Sequence, residues 1–243
     1  MRITRLYHSE SLQCGSTTQL DANTSNHLVR VLRSKPGTIV TLFNGDGFDY
    51  LCKTIDTDLK KTSVSIQSRV QIDNESNISI TLIQGLSRQD RMETTIQKSV
   101  ELGVNKIIPV ICQRSNHELV EEKKLKKLEH WRKVAISACE QSGRCVIPDV
   151  LQITMLEELN TLLQNDALKL NLDPQAQQSL KDTSGNRKEI EIFIGPEGGL
   201  NNEEIDTLEK DGFENIRFGP RILRTETAGP AVISAIQTLW GDL

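Results

Sequence analysis

The spacing of hydrophobic residues along the chain changes near residue 78. Before this point, short runs alternate apolar and polar positions, as half-buried strands do. The runs at 38–43 and 48–55 flank the turn sequence 44–47, Asn-Gly-Asp-Gly, and 63–66 alternates again. This pattern predicts a small all-β unit with a hairpin at 44–47 and one short helix around 25–32.

After a polar stretch at 71–78, which we interpret as a linker, strand and helix patterns alternate. Apolar runs at 78–85, 107–112 and 190–194 predict buried strands, and the long amphipathic run 121–141 predicts a helix. Asp90 and Glu93 have the spacing of a capping pair for a further helix that Gly103 closes. The alternation is typical of a mainly parallel α/β sheet.

The strand predicted at 190–194 ends at a glycine-rich turn, 195–200. Asn201 and Glu204 then have the spacing of a helix N-cap and its reciprocal partner. A turn at the carboxyl end of such a strand presents bare backbone amides, and open α/β sheets bind ligands there. Two interpretations are open: a ligand-binding turn, or a tight turn that needs glycine only for its dihedral angles.

A second stretch, 218–230, concentrates ionisable groups beside glycines and prolines. It carries Arg221, Arg224 and Glu226, follows a short apolar strand and precedes an amphipathic helix predicted at 231–240. Binding and chemistry concentrate on loops of this kind. A charged surface connection is the alternative, and the presence of the glycine turn favours a site.

Composition restricts the class of protein. The chain has 243 residues, 37% hydrophobic and 26% charged, which suits a globular enzyme. Five cysteines without a Cys-x-x-Cys pair argue against a disulfide framework and a structural zinc site, so no metal is expected. Residues 1–6 lack the apolar core of a signal peptide, and no apolar run is long enough to span a bilayer. We therefore expect a cytoplasmic location and no membrane association.

Charge and the absence of common motifs narrow the function further. Residues 1–72 carry nine Lys and Arg against six Asp and Glu, a net charge of +3, whereas the whole chain has −4. A basic first domain on an acidic second one is compatible with RNA contact. The sequence has no Gly-x-Gly-x-x-Gly after the first strand of the α/β part and no P-loop. No histidine accompanies a nucleophile motif, which disfavours a general hydrolase.

Three ordered motifs, LKLNLDP at 168–174, IGPEGGL at 194–200 and FGPRILRTETA at 218–228, resemble the ribosomal RNA small subunit methyltransferase E (RsmE) family. Its members belong to the SPOUT class of knotted methyltransferases. Further similar segments extend the resemblance over nearly the whole chain: HLVRVLR at 27–33, LFNGDG at 42–47, RMETTIQKSVELGV at 91–104, QRS at 113–115 and ACEQSGR at 138–144.

The resemblance implies an α/β fold with two domains. Residues 1–72 would form a PUA-like β-barrel that binds RNA, and 73–243 a SPOUT-type α/β domain with a trefoil knot. The implied activity is methyl transfer from S-adenosylmethionine to N3 of a uridine in 16S rRNA, position 1498 by convention, within the 30S subunit. A homodimer paired through the knotted domains is also implied, and the apolar positions of 231–240 are wider than one helical stripe.

The resemblance also assigns residues to the cofactor, in three loops at 170–174, 194–200 and 218–228. The cofactor-binding residues expected are Leu170, Asn171, Leu172, Ile194, Gly195, Pro196, Glu197, Gly198, Gly199, Phe218, Gly219, Ile222, Leu223, Thr225, Thr227 and Ala228.

Methylation at N3 requires the loss of a proton from the Watson–Crick edge of an unpaired or flipped base. Arg224 could stabilise negative charge developing on O2 or O4 of the uracil, and Glu226 could accept the proton. A mutual ion pair, or a structural clamp on the loop, is the alternative role for both residues.

Six arginines are candidates for RNA contact. Arg30 and Arg33 stand three apart, which would place them on one face of a helix. The others are Arg88, Arg114, Arg144 and Arg221. Simple solvation is the alternative for each of them.

One position departs from the family pattern: Asp173 stands where the family commonly has His, and we expect it to shape the turn. Two other functions remain open from sequence. The chain could be an RNA-binding protein that keeps the fold without catalysis, although two intact motif loops argue against it. It could also methylate a different acceptor, such as a 2′-OH.

Overall fold

The computed structural model of the chain describes residues 4–115, 120–184 and 187–243. The chain divides into two compact units. The first comprises Met1–Glu75 together with Cys139–Ile147, and the second Ser76–Ala138 together with Pro148–Leu243. The hydrophobic pattern of the sequence did not predict that Cys139–Ile147 groups with the first unit. The division into domains at 72/73 stays a prediction.

The first unit is built on a five-stranded sheet. Its strands are β1 Thr4–Tyr7, β2 Thr17–Gln19, β3 Ile39–Phe43, β4 Phe48–Thr54 and β5 Ser63–Gln71, in the order β1-β3-β4-β5-β2. β3 and β4 pair antiparallel across the predicted hairpin turn, whereas β1 runs parallel to β3. Alternate side chains of β3, β4 and β5, with Leu28, form the core beneath the sheet.

A short helix, α1 (Ala22–Asn26), begins at Asp21, whose carboxylate accepts hydrogen bonds from the amides of Asn23 and Thr24 at 2.8 and 3.1 Å. The helix passes directly into a π-helical turn, His27–Val31, that ends at Leu32. The helix predicted around 25–32 is therefore confirmed in place, but its second half has the wider π geometry.

The second unit contains an eight-stranded sheet in which every pair is parallel. Its strands are β6 Ser79–Gly85, β7 Lys106–Ile111, β8 Asp149–Val150, β9 Thr154–Met155, β10 Leu168–Leu172, β11 Gln178–Ser179, β12 Glu189–Ile194 and β13 Glu214–Arg217. The order is β11-β13-β10-β12-β6-β7-β8, with β9 beside β7. The predicted parallel α/β sheet is confirmed.

Four helices accompany this sheet: α2 Gln89–Glu101, α3 Glu121–Ser142, α4 Asn202–Lys210 and α5 Thr225–Trp240. α5 packs against α2, β6 and β12. On β12, Phe193 meets Phe213 edge to face at 6.2 Å between ring centroids. The strands at the centre are thus buried on both faces, which explains their nearly continuous apolar sequence. In the described ranges, no helix combines the length and apolarity needed to cross a membrane.

The two predicted capping pairs have different outcomes. Asn201 caps α4: its side chain accepts from the amide of Glu204 at 2.8 Å, and the Glu204 carboxylate accepts from the Asn201 amide at 2.9 Å. The prediction for Asp90 and Glu93 is wrong, because α2 begins after Arg88 without a side-chain cap. Glu93 instead accepts hydrogen bonds from the side chains of Gln89 and His130.

A buried carboxyl group in β12 gives a stability prediction. Glu191 is 2% exposed, and one of its oxygens accepts from the amide of Gln164 at 3.0 Å, whereas Oε2 has no partner in the described residues. Burial raises the pKa of Glu191 above its usual range, against the opposing effect of that hydrogen bond and of Lys169. The folded state therefore favours the protonated acid, and its stability falls as pH rises from the unfolded pKa through the folded one.

We expect Glu191→Gln to stabilise the protein by about 1 kcal/mol at alkaline pH, because glutamine keeps the acceptor for Gln164 and removes the ionisation. The gain should shrink towards about pH 4.5, where the unfolded carboxyl group also binds its proton. Urea unfolding midpoints of both proteins across this pH range measure the difference. A variant equally destabilised at every pH would show that the carboxyl group is needed for packing instead.

Candidate active site

The three segments that the family resemblance points to leave the same edge of the sheet. β13, β10, β12 and β6 are consecutive parallel neighbours. Segments 173–177, 195–201 and 218–224 follow the carboxyl ends of β10, β12 and β13 in that order. The loops therefore converge where parallel α/β sheets form ligand sites.

The glycine-rich turn after β12 is tight and fixed from two sides. The Gly199 amide donates to the Pro196 carbonyl at 2.9 Å, and Gly199 has φ +68°. The turn passes so close to the end of β6 that a Cβ on Gly85 would lie 2.6 Å from the nitrogen of Pro196. Arg114 fixes the outer side by donating to the carbonyls of Gly198 and Leu200 at 3.1 and 3.3 Å.

A buried chain of hydrogen bonds joins this turn to the start of α5. The Thr225 hydroxyl donates to the Gly195 carbonyl at 2.9 Å and accepts from the Gln84 side chain at 2.8 Å. Gln84 and Thr225 are 0% and 7% exposed. Two motifs that are 30 residues apart in sequence are thus held together by neutral polar groups, of which Gln84 Oε1 accepts no hydrogen bond in the described residues.

The prediction that 218–230 is a loop before a helix at 231–240 is wrong in its second half. α5 begins at Thr225, after Arg224 as its N-cap, and Pro230 lies inside it. Glu226 therefore stands in the first helical turn, where free amide groups favour a carboxylate. Thr227 is exposed and Ala228 is buried on the same turn.

Glu226 belongs to an ion-pair network that also includes Glu197 of the glycine turn. Arg91 of α2 lies between them, with Nη1 3.0 Å from Glu197 Oε1 and Nε 3.9 Å from Glu226 Oε2. Arg88 approaches Glu197 at 3.9 Å, and Arg224 approaches Glu226 Oε1 at 4.0 Å. From sequence, Arg91 was only a further arginine that could contact RNA or be solvated; its position between two carboxylates was not predicted, because no local pattern reveals partners from other segments.

The carboxyl end of β10 carries one buried side-chain amide, and the turn after it is shaped by Asp173. Asn171 is 1% exposed and donates to the side-chain carbonyl of Asn215 at 2.7 Å, while Leu170 is buried and Leu172 half-buried. Asp173 accepts from the Gln175 amide at 2.9 Å, and its own amide donates to Ile216 at 3.0 Å. Asp173 shapes the turn, as predicted.

The loop after β13 is the most open of the three. Phe218 is half-buried, Gly219 has φ +76°, and Ile222 is 83% exposed beside the half-buried Leu223. Arg221 and Arg224 are both exposed, the latter with 78% of its side chain accessible. This loop offers cations and an apolar side chain at the edge of the site.

The candidate RNA-binding arginines are in different environments. Arg30 and Arg33 are exposed in the first unit, but they do not share a helical face. Arg33 lies beyond the helix end with φ +52°, so this part of the prediction is wrong. Arg88 is exposed, with 74% of its side chain accessible, whereas Arg114 is engaged with the glycine turn.

Arg144 is not available for RNA in this structure. Its side chain is 4% exposed and its Nε donates to both carboxylate oxygens of Glu75, at 3.0 and 3.1 Å. A buried pair of this kind is internally neutralised. The prediction that Arg144 contacts RNA is corrected: it is an internal ion-pair residue of the first unit.

The donor groups at the sheet edge suit a ligand with hydrogen-bond acceptors, such as a carboxylate or the nitrogens of a heteroaromatic ring. The amides of Gly198, Leu200 and Leu223 have no hydrogen-bond partner within residues 4–115, 120–184 and 187–243. Gly199 has open space on its Cα, whereas a Cβ on Gly198 would lie 3.0 Å from Cβ of Arg114. S-adenosylmethionine has groups of both kinds, so the residues present fit it.

Comparison with known proteins defines the class first. A family model described as "RNA methyltransferase domain" matches residues 74–237, and one described as "RNA methyltransferase PUA domain" matches 20–67. A methyltransferase structure from Legionella pneumophila, solved with the bound cofactor SAM, is 36% identical over all of both chains, with a TM-score of 0.96.

More specific relatives carry one shared name. The ribosomal RNA small subunit methyltransferase E of Neisseria gonorrhoeae, solved with S-adenosyl methionine, is 40% identical over 99% of both chains, with a TM-score of 0.95. The protein of that name from Buchnera aphidicola is 34% identical over 99% of this chain and 95% of its own. The chain belongs to the ribosomal RNA small subunit methyltransferase E family. The resemblance seen in the sequence and the two-part α/β fold class are confirmed.

Proposed function

We propose that the chain transfers a methyl group from S-adenosylmethionine to N3 of a uridine in 16S rRNA, at position 1498 by convention. One observation carries the proposal: the hydrogen-bond chain through Gln84 and Thr225 fixes the glycine turn against the helix start that carries Glu226. A ligand-binding turn and a carboxylate thus occupy one edge of the sheet. The names and bound cofactors of the relatives support the same activity.

S-adenosylmethionine, when bound, supplies an electrophilic methyl group. The segments 170–172, 194–199 and 218–228 would hold it, with the amides of Gly198, Leu200 and Leu223 as donors. The cofactor-binding residues expected from sequence remain proposals, with the backbone of the glycine turn at their centre. No metal is proposed, because methyl transfer from a sulfonium is a direct displacement that positioning and charge stabilisation can promote.

In the proposed chemistry, the protein manages one proton and one developing charge. The N3–carbon bond forms, the sulfur–carbon bond of the donor breaks, and the N3 proton passes to Glu226. Arg224 is exposed and adjacent to Glu226, so its guanidinium can stabilise negative charge on O2 or O4 of the uracil. The carboxylate in the first turn of α5 is the base.

RNA contact is proposed for the exposed arginines, namely Arg30, Arg33, Arg88 and Arg221, with Arg114 limited by its hydrogen bonds to the turn. Residues 1–72 carry the basic excess, so this part of the chain is proposed to supply phosphate contacts. We propose the 30S subunit as the substrate, the cytoplasm as the location, and a trefoil knot in the second unit, each on the basis of the family resemblance.

We also propose a homodimer, because α5 leaves apolar side chains uncovered. Leu239 is 47% exposed and Leu243 is 63% exposed beyond the helix end, whereas Val232, Ile233 and Ile236 are buried within the unit. Burial of the exposed side against a second copy would remove this apolar surface from water. Light scattering at micromolar concentration should give twice the chain mass of 27.3 kDa. A monomer with full activity would contradict the proposal.

The test of the function is the identity of the modified nucleotide. Small subunits from cells lacking the protein, incubated with the purified chain and labelled S-adenosylmethionine, should gain one methyl group at N3 of a single uridine, mapped by mass spectrometry. A label on a 2′-OH would move the activity to another acceptor. RNA binding without methyl transfer would identify a non-catalytic RNA-binding protein.

A further inference from the structure

Arg91 lies between two carboxylates that come from different segments of the second unit. It contacts Glu197 of the glycine turn at 3.0 Å and approaches Glu226 of α5 at 3.9 Å. Its side chain is 27% exposed, and it stands at the third position of α2, a helix that packs against α5. The same guanidinium thus connects the turn proposed for the cofactor to the carboxylate proposed as the base.

The two cations near Glu226 differ in their freedom to move. Arg224 lies 4.0 Å from Glu226 Oε1, and 78% of its side chain is exposed. Because most of this side chain is in solvent, its guanidinium is free to turn away from this carboxylate. Arg91 faces Oε2, which is buried and accepts no hydrogen bond in the described part of the chain. If Arg224 turns to the uracil, Arg91 is the cation that remains beside Glu226.

We propose that Arg91 is a positioning residue that keeps Glu226 oriented as the proton acceptor while Arg224 engages the base. The proposal rests on the function proposed above. A carboxylate accepts a proton only from a donor that it faces, and the adjacent guanidinium of Arg91 holds Glu226 in that position. By holding Glu197 at the same time, Arg91 sets the distance between the glycine turn and this base.

The charges around Glu226 in the described residues support this division of roles. Arg91 of α2 approaches it at 3.9 Å, whereas Arg88, the residue before α2, approaches Glu197. From the preceding loop, Arg224 faces it. Glu197 is the one further carboxylate of this ion-pair network, and Arg91 contacts it at hydrogen-bond distance. Without Arg91, Glu197 and Glu226 would be two acidic groups with no shared cation.

The experiment is single-turnover methylation of small subunits at saturating RNA and cofactor. Arg91→Met should lower the rate constant by at least about tenfold, because Glu226 loses its orientation. Arg91→Lys, which keeps the charge, should recover much of the rate. Lys98→Met is the matched control, because Lys98 is on the same helix, pairs only with Glu101 in the described residues, and should leave the rate constant unchanged.

A second measurement does not depend on activity. Unfolding midpoints of Arg91→Met, Glu226→Gln and the double variant should be non-additive, because the two side chains share one interaction. An active wild type whose rate constant is unchanged in Arg91→Met, or additive midpoints, would overturn the role of Arg91 alone. An inactive wild type would overturn the proposed function and this role together. A slower Arg91→Met whose rate Arg91→Lys does not recover would also overturn this role, since the loss would then not come from the missing cation.

Discussion

Replacing Gly85 by alanine should remove most of the affinity for S-adenosylmethionine, although Gly85 belongs to a strand and not to the predicted binding loops. A Cβ at this position would lie 2.6 Å from the nitrogen and 2.7 Å from Cδ of Pro196. Both atoms belong to the rigid start of the glycine turn, so the turn must move away from the sheet edge. Overpacking of this kind costs about 1–3 kcal/mol, and each 1.4 kcal/mol is a tenfold change in binding.

Calorimetry with S-adenosylmethionine measures this effect, with at least about a tenfold loss expected in Gly85→Ala. Gly229→Ala is the control, since its Cβ would meet Leu82, Thr95 and Gln84 at ordinary distances of 3.6–3.7 Å, and alanine favours the helix. Unfolding midpoints of both variants show whether a loss of affinity in Gly85→Ala comes from a displaced turn or from a destabilised sheet. Wild-type affinity in Gly85→Ala would show that the turn does not bind the cofactor in this conformation.

The strands and the helix around Gly85 were predictable, because the features that define them can be seen in short stretches of sequence. The runs in β6 and β12 are apolar because both faces are covered, and apolar continuity is visible without a structure. The cap formed by Asn201 and Glu204 is also local, since both hydrogen bonds close within four residues. The close approach of Gly85 to Pro196 joins different strands, so the sequence contains no sign of it.

The start of α5 was missed because Gly229 and Pro230 are typical of a helix boundary. In the structure, Gly229 lies where the helix passes close to Leu82 of β6 and Thr95 of α2. Glycine is therefore present here because the elements pack closely. From the sequence alone, such a glycine cannot be distinguished from one that forms a turn. As a consequence Glu226, which was predicted in a loop, lies in the first turn of α5, where the helix fixes its backbone.

The predicted roles of single charged residues depended most on tertiary structure. Burial of single apolar positions also depends on it: Leu125, in the amphipathic run predicted at 121–141, is 54% exposed. Arg144 is buried because Glu75, 69 residues away, neutralises it. Arg33 leaves the predicted face because the helix becomes a π-turn, to which the three-residue spacing rule for α-helices does not apply.

Arg224 should differ from the arginines of the first unit in the step that it affects. Arg30→Ala with Arg33→Ala should weaken binding to 16S rRNA or to 30S subunits and reduce its salt dependence, because each phosphate contact releases counterions. Cofactor affinity should not change in that double variant. Arg224, in contrast, stands beside Glu226 at the sheet edge, so its loss should appear at saturating RNA.

Arg224→Ala should lower the single-turnover rate constant of methylation by on the order of a hundredfold at saturating RNA and cofactor, the effect of losing one donor that stabilises developing charge. Lysine at this position should restore only part of the rate, because it keeps the charge but not the planar guanidinium. The measurement is rapid-quench methylation of 30S subunits, with binding of both substrates determined separately. A normal rate constant with weaker RNA binding would make Arg224 a phosphate contact. Since Arg221 is the other exposed arginine of the same loop, the charge stabilisation would then be sought there.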